Sequence, residues 1–265
     1  SALTQSGFYL QEDDFIFAAE QSLRFIMSEH YSKGQLYRSV ARGLRKELAM
    51  VEDYAALMRA CLDLFSYGGD PQWLEQAIVL DALVLKKFED PNGGWYRSEK
   101  SDLLVREMPT HDGAEPSGAS LMMGNLIRLE ALTSRDTYRS RYDKSLDRYG
   151  ESLVKNPLSL DQMLVSLQNK EQGMYQLVIA AKDPASIGQL LDVVRDVRSD
   201  NLVLIQVFDS EQRERLLKSV PLIGGKEPKE GKATAYLCLK GACRYPVQSP
   251  SELEKMLKEN NTKKD

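Results

Sequence analysis

The chain has 265 residues, with 35 Lys+Arg against 39 Asp+Glu, 42% apolar side chains, three Cys and two His. That length gives one large domain or two unequal ones with ample material for a core, and the composition is too apolar for intrinsic disorder. There is no basic excess to neutralise phosphates, three Cys are too few for a disulfide framework, and the apolar run from Ile78 to Leu85 is broken by Asp81, so neither a nucleic-acid partner nor a membrane span is expected.

The first residues, Ser-Ala-Leu-Thr-Gln-Ser, carry no basic-then-apolar segment and no Arg-rich amphipathic pattern, so no export or transit signal is expected in them. A reducing intracellular compartment is favoured; the lack of an initiator Met leaves secretion open. From about residue 12 to 170 apolar positions recur at helical spacing, and strand-like runs are expected only after that. Val51, Tyr54, Ala55, Met58, Cys61, Leu62 and Phe65 follow the i, i+3, i+4, i+7 rule and predict a helix that Gly68-Gly69 stops. Asp70 caps the next helix with Pro71 at its first position, and Trp73, Ala77, Leu80, Val84 and Phe88 make one apolar stripe while Leu74, Ile78 and Leu85 make another. That helix asks for burial on two sides. Asp90 to Gly94 is turn chemistry followed by a short extended Trp95-Tyr96. Ser117 caps a helix through Leu121, Met122, Asn125, Leu129 and Leu132, and Tyr138, Tyr142, Leu146, Tyr149 and Leu153 line its partner. Antiparallel helical pairs with short loops and two-sided burial predict a layered toroid rather than an isolated bundle.

Past the boundary at Glu171-Gln172-Gly173 the pattern changes. Tyr175 to Ala181 and Leu202 to Phe208 are short apolar runs rich in β-branched residues, separated by a helix from Pro184 to about Arg198, which predicts a β-α-β unit. Thr234 to Leu239 is a third strand, and Ser249-Pro250-Ser251-Glu252 is a capping box opening a last helix. No Gly-x-Gly-x-x-Gly follows either strand, so no nucleotide and no other cofactor is expected. The fold expected is therefore mainly α with a small α/β lobe: a partial (α/α) toroid of helical hairpins over residues 1–171, then a βαβ-type domain with a mainly parallel sheet over 172–265.

Several motifs carry a resemblance. Glu52-Asp53-Tyr54-Ala55 at a helix start, Pro-Asn-Gly-Gly-Trp-Tyr at 91–96, Asp112 to Gly118 followed by Asn125 to Leu129, and Ala233 to Cys238 with Cys243 and Pro246 occur in one order. In this the chain resembles the spermatogenesis-associated, thioredoxin-domain-containing protein family. The resemblance implies a thioredoxin-like domain preceding an (α/α) toroid of the six-hairpin glycosidase and sugar-epimerase type, of which this chain would be the back part plus the terminal lobe. It carries over no catalytic assignment. Ala119 stands where the family commonly has Asn, and Gly124 where a His is sometimes found. The absent front part would leave apolar stripes exposed on helices here.

The candidate site residues each admit a structural role as well. Glu52 and Asp53 complement the positive end of a helix dipole; on the inner ring of a toroid they would instead hold sugar hydroxyls or act as acid or base. His111, Asp112 and Glu115 form the densest titratable cluster, on a loop feeding a helix, where Asp112 and Glu115 would do acid and base work or else fix a tight turn. Trp95 and Tyr96 would stack on a sugar face or pack against neighbouring helices, and Tyr54 would line the same cleft. The candidates are thus Asp112, Glu115 and Glu52 for chemistry and Asp53, Tyr54, Trp95 and His111 for a carbohydrate ligand. The competing reading is a non-catalytic scaffold for a thioredoxin-like domain or another protein partner. Cys238 and Cys243 lack two further ligands for a metal, and two free thiols are expected ahead of a disulfide or a redox pair. Cys61 and His30 read as core and half-buried helix residues, and the glycosylation pattern at 260–262 is discounted.

Overall fold

The computed structural model describes residues 1–99, 106–208 and 210–261; the pattern at 260–262 runs outside them. The helical part opens with α1 (Ala2–Leu10) and α2 (Asp13–Glu29), continues after a small sheet with α3 (Val51–Gly68) and α4 (Pro71–Lys87), and ends with α5 (Gly118–Thr133), α6 (Asp136–Lys155) and α7 (Asp161–Gln172). α3 is its centre, packed against α1, α4 and α5, while α5 in turn carries α6 and α7. The caps are those the sequence calls for: Asp70 accepts the Gln72 N–H with Pro71 following, and Ser117 accepts that of Ser120. The apolar face of α3, from Val51 through Tyr54, Met58, Cys61 and Phe65, is fully buried. On α4 the Trp73 to Phe88 stripe is buried, whereas the second stripe sinks at Leu74 and surfaces at Leu85. Phe15, Phe17 and Phe25 of α2 stand exposed.

A three-stranded antiparallel sheet, β1 (Tyr31–Ser32), β2 (Gln35–Ala41) and β3 (Leu44–Leu48), lies between α2 and α3, contrary to the expectation that strands begin only after residue 170. Its one buried side chain is Leu36, so it has almost no apolar alternation to read. The turns are nonetheless encoded: Lys33-Gly34 and Arg42-Gly43 all have positive φ, the backbone that two-residue hairpin loops require.

The lobe contains β4 (Tyr175–Ala180), α8 (Gly188–Val197), β5 (Leu202–Val207), α9 (Ser210–Leu217), β6 (Thr234–Leu239), β7 (Ala242–Cys243) and α10 (Pro250–Asn261). The strand order is β5-β4-β6-β7; β4 and β5 are parallel, but β4–β6 and β6–β7 are antiparallel. The sheet is thus mixed, not mainly parallel. The α8 crossover makes one parallel pair, and the chain then returns on the far side of β4 in the opposite sense. Both faces are covered, which is why the strands read as continuous apolar runs. Leu177, Ile179, Leu204 and Leu237 pack with α8 and α10, while Val178, Ala180, Val203, Ile205 and Tyr236 join the helical core. Three amides complete the junction, Gln206 Nε2 donating to Ser66 O, Gln212 Nε2 to Gly69 O and Gln176 Nε2 to Ala131 O. These carbonyls belong to the ends of α3 and α5, where the helix leaves acceptors unpaired. The lobe therefore closes onto the carboxyl ends of the two central helices.

Candidate functional site

The residues singled out in the sequence do not converge on one cleft. Tyr54 and Trp95 are fully buried: the Tyr54 hydroxyl accepts the Leu36 N–H, and the Trp95 indole donates to Glu89 at 3.1 Å. Neither offers a ring face to a ligand, so both are corrected to core residues. Glu52 and Asp53 sit in the first turn of α3 but are committed to arginines, Glu52 to Arg97 at 3.4 Å and Asp53 to Arg38 at 3.0 Å. Asp53 also accepts the Met50 N–H. Asp112 is buried, its carboxylate taking the Ser117 N–H, the Ser120 hydroxyl and the Gln162 N–H. With three donors it fixes a turn. His111 and Glu115 flank it with exposed side chains. Cys238 and Cys243 are joined in a disulfide rather than free. They face each other across β6 and β7, the next pair beyond the Leu239–Ala242 rung that flanks the two-residue turn, where facing side chains approach most closely.

A hollow of about 420 Å³ does lie among the inner helices α1, α3, α5 and α7, with the 198–200 loop of the lobe beside it. Each wall is one helix face: Arg59, Asp63 and Ser66 on α3, Leu121, Gly124 and Arg128 on α5, Gln162, Ser166 and Asn169 on α7, at the four- and three-residue steps that align side chains on a helix. Asp63 is buried and pairs with Arg128 at 2.8 Å, and it also accepts from Gln5 Nε2 and the Ser1 hydroxyl. The buried Ser66 hydroxyl has no partner. Tyr67 and Tyr9 supply ring surface 6.0 Å apart between centroids, and burial, then the neighbouring Tyr9, pushes the Tyr67 phenol up, so it stays protonated and can donate. Asp112 reaches this hollow indirectly, since its partners Ser120 and Gln162 are part of the wall. A second crevice of about 630 Å³ runs between the end of α5 and the β6–β7 turn, but its Glu130 is already bridged to Arg139 and Lys170. Among the described residues no group of three or more His, Cys, Asp or Glu is placed to hold a metal ion, and no helix is long and apolar enough to cross a membrane.

Taken singly, Arg59, Asp63, Ser66, Gln162 and Asn169 carry no site signal in the sequence, because a polar helix face ordinarily meets solvent. The available signal was repetition: polar residues at one spacing on both α3 and α7, beside a well-defined apolar face on α3.

Helical hairpins surrounding a polar hollow and capped by a small sheet define a partial (α/α) toroid. The same fold is found in a GH76 α-mannanase of Bacteroides thetaiotaomicron, with a TM-score of 0.50 and 12% identity over 82% of this chain and 64% of that one. In sequence the chain is similar to spermatogenesis-associated protein 20 of Homo sapiens, 30% identical over 97% of this chain and 34% of that protein, and of Mus musculus, 33% identical over 78% and 27%. No family model matches the chain. The chain belongs to the spermatogenesis-associated protein family, and it spans about a third of the length of the curated relatives it matches.

Proposed function

We propose that the hollow among α1, α3, α5 and α7 binds a carbohydrate. The observation that carries this reading is the lining itself: amides, hydroxyls and guanidiniums on helix faces that a packed core would fill with apolar groups. Sugars present hydroxyls that both donate and accept, so they are matched by such mixed polar walls with an aromatic surface beside them. About 420 Å³ falls in the size range of small-ligand sites. The toroid fold shared with an α-mannanase is consistent with a saccharide but assigns no reaction. Glycoside hydrolysis ordinarily uses two carboxylates flanking the bond. The carboxylates lining this hollow are Asp63 and Asp200, and Asp63 is committed to Arg128. The reading is therefore of binding, with turnover unassigned.

Calorimetric titration with mannose and mannobiose tests it. Saturable binding is expected, weakened several-fold by Asn169→Ala and Gln5→Ala and unaffected by Glu115→Ala on the outer loop. Absence of heat and of any ligand-dependent rise in melting temperature would refute it.

A second reading is favoured by the burial of Tyr54, Trp95 and Asp112: the toroid is a scaffold for another domain, such as the thioredoxin-like one implied by the resemblance, or for a protein partner. It expects Asp112→Ala to lower the melting temperature with no sugar affinity detectable before or after.

A further inference from the structure

Resting on the carbohydrate reading, we infer that the hollow selects an acidic saccharide, one bearing a carboxylate or a phosphate, and that Arg59 and Arg198 receive its charged group. Three guanidiniums line the space, those of Arg59, Arg128 and Arg198, against the carboxylates of Asp63 and Asp200. The Arg128–Asp63 pair is self-satisfied. Arg59, half-buried on α3, meets the side-chain oxygen of Gln162 at 3.5 Å. Arg198 lies over the Tyr9 ring, 5.1 Å from its centroid, a contact that leaves the guanidinium edge free to donate. Among the described residues neither arginine has a carboxylate at ion-pair distance. Asp200, exposed on the same loop as Arg198, offsets one of the two charges, which leaves a net positive wall.

Two features make that imbalance point to a ligand rather than to solvent. The Ser66 hydroxyl is buried without a partner in the same wall, and a buried hydroxyl left unpaired costs free energy that a ligand acceptor recovers. The arginines come from different parts of the fold, one from an inner helix and one from the lobe, so the docking of the lobe is what sets them around one space. The half-buried Arg59 attracts an anion more strongly than a guanidinium on an open surface, and the exposed Arg198 faces the same space from the lobe.

The test is titration of the whole chain with mannose, mannuronate, mannose 6-phosphate and inorganic phosphate, repeated with Arg59→Gln and Arg198→Gln. At least one acidic sugar should bind about tenfold or more tighter than mannose and than phosphate alone, and each substitution should remove about tenfold of that preference. The preference should also shrink as salt is raised. Whichever of mannuronate and mannose 6-phosphate wins identifies the charged group. Mannose binding as tightly as both would overturn the inference while leaving the carbohydrate reading intact. Phosphate alone binding as tightly as mannose 6-phosphate would overturn it in favour of a plain anion site, and no binding by any probe would remove both readings. Arg198→Gln, on an exposed loop, keeps the test decisive if Arg59→Gln lowers stability.

Discussion

The carboxylate of Asp112 accepts the backbone N–H of Gln162 at 3.1 Å across fifty residues of sequence, and the same group takes the Ser117 N–H at 2.8 Å and the Ser120 hydroxyl at 3.0 Å. One side chain thereby joins the first turn of α7 to that of α5, with its negative charge at the positive ends of both helices. Replacement by Ala leaves the Ser117 amide and the Ser120 hydroxyl without their acceptor, while the Gln162 N–H keeps the Asp161 carboxylate at 2.8 Å. Asp112→Ala is expected to cost about 2 to 4 kcal/mol in urea unfolding, and Asp112→Asn, which keeps one acceptor oxygen, about half as much. Because Ser120 and Gln162 are wall residues of the hollow, the Ala variant should also weaken any ligand bound there.

Asp63 and Arg128 make a stronger demand. The carboxylate is buried and the guanidinium mostly so, and removing one member of such a pair strands the other. Arg128→Ala is expected to cost about 3 kcal/mol or more, whereas Asp63→Ala combined with Arg128→Ala should cost clearly less than the sum of the two single changes. Additive losses in a double-mutant cycle would show that the pair is not coupled.

Gly93 tests the turn before Trp95. Its φ is +95°, and a Cβ there would stand 2.3 Å from the Lys144 carbonyl oxygen and 2.8 Å from Ser145 N. These are backbone atoms of α6 that no side-chain rotation can move aside. Gly93→Ala should therefore destabilise by more than the about 1 kcal/mol of ordinary glycine replacement at positive φ. Gly113→Ala, where nothing lies within 4 Å, should be close to neutral and serves as the control for a surface turn.

The helices were legible because each carried a period and a cap in its own residues: Asp70-Pro71 and Ser117 mark starts, and the Val51 to Phe65 face marks what is buried. β4, β5 and β6 were legible for a different reason, being short continuous runs buried on both faces. Strand direction was not, since the side of β4 on which β6 returns depends on the path between β5 and β6 and on nothing within either strand. β1–β3 escaped because a sheet with one buried residue has no hydrophobic pattern. The candidate site failed differently. Tyr54, Trp95 and Asp112 are residues whose chemistry serves a ligand or a buried hydrogen bond equally well, and only tertiary partners distinguish the two. The hollow was hidden because its residues come from four helices and a loop, each contributing a short polar stripe that in isolation reads as a solvent face.

Asp90 and Tyr96 give the fold a pH signature. The Tyr96 hydroxyl donates to Asp90 at 2.5 Å. That bond, followed by the Asn92 N–H, holds the Asp90 carboxyl below its usual 3.8, and the Asp90 carboxylate in turn raises Tyr96 above its usual 10.0. A lowered carboxyl contributes stability above pH 3.8 that is lost as pH falls through its folded value; a raised phenol contributes below pH 10 and loses it as pH rises through its own. The stability difference between parent and Tyr96→Phe should accordingly be flat across the neutral range and shrink at both extremes. Chemical denaturation at a series of pH values measures it, and a difference that persists unchanged below pH 3 would contradict the assignment.

The three cysteines should separate cleanly by chemistry. Cys238 and Cys243 are bonded, while Cys61 is free and buried. Burial pushes the Cys61 thiol from 9.0 up to about 12, and since the thiolate is the reactive form, its population near pH 8 falls by about a thousandfold before access is considered. Alkylation of the folded, unreduced chain followed by mass spectrometry should therefore label no cysteine, alkylation after unfolding without reductant should label Cys61 alone, and reductant should raise the total to three. Labelling of Cys238 and Cys243 in the unfolded, unreduced chain would mean that the facing positions on β6 and β7 hold thiols, and the short β7 would then rest on its backbone pairing to β6 without a covalent tie.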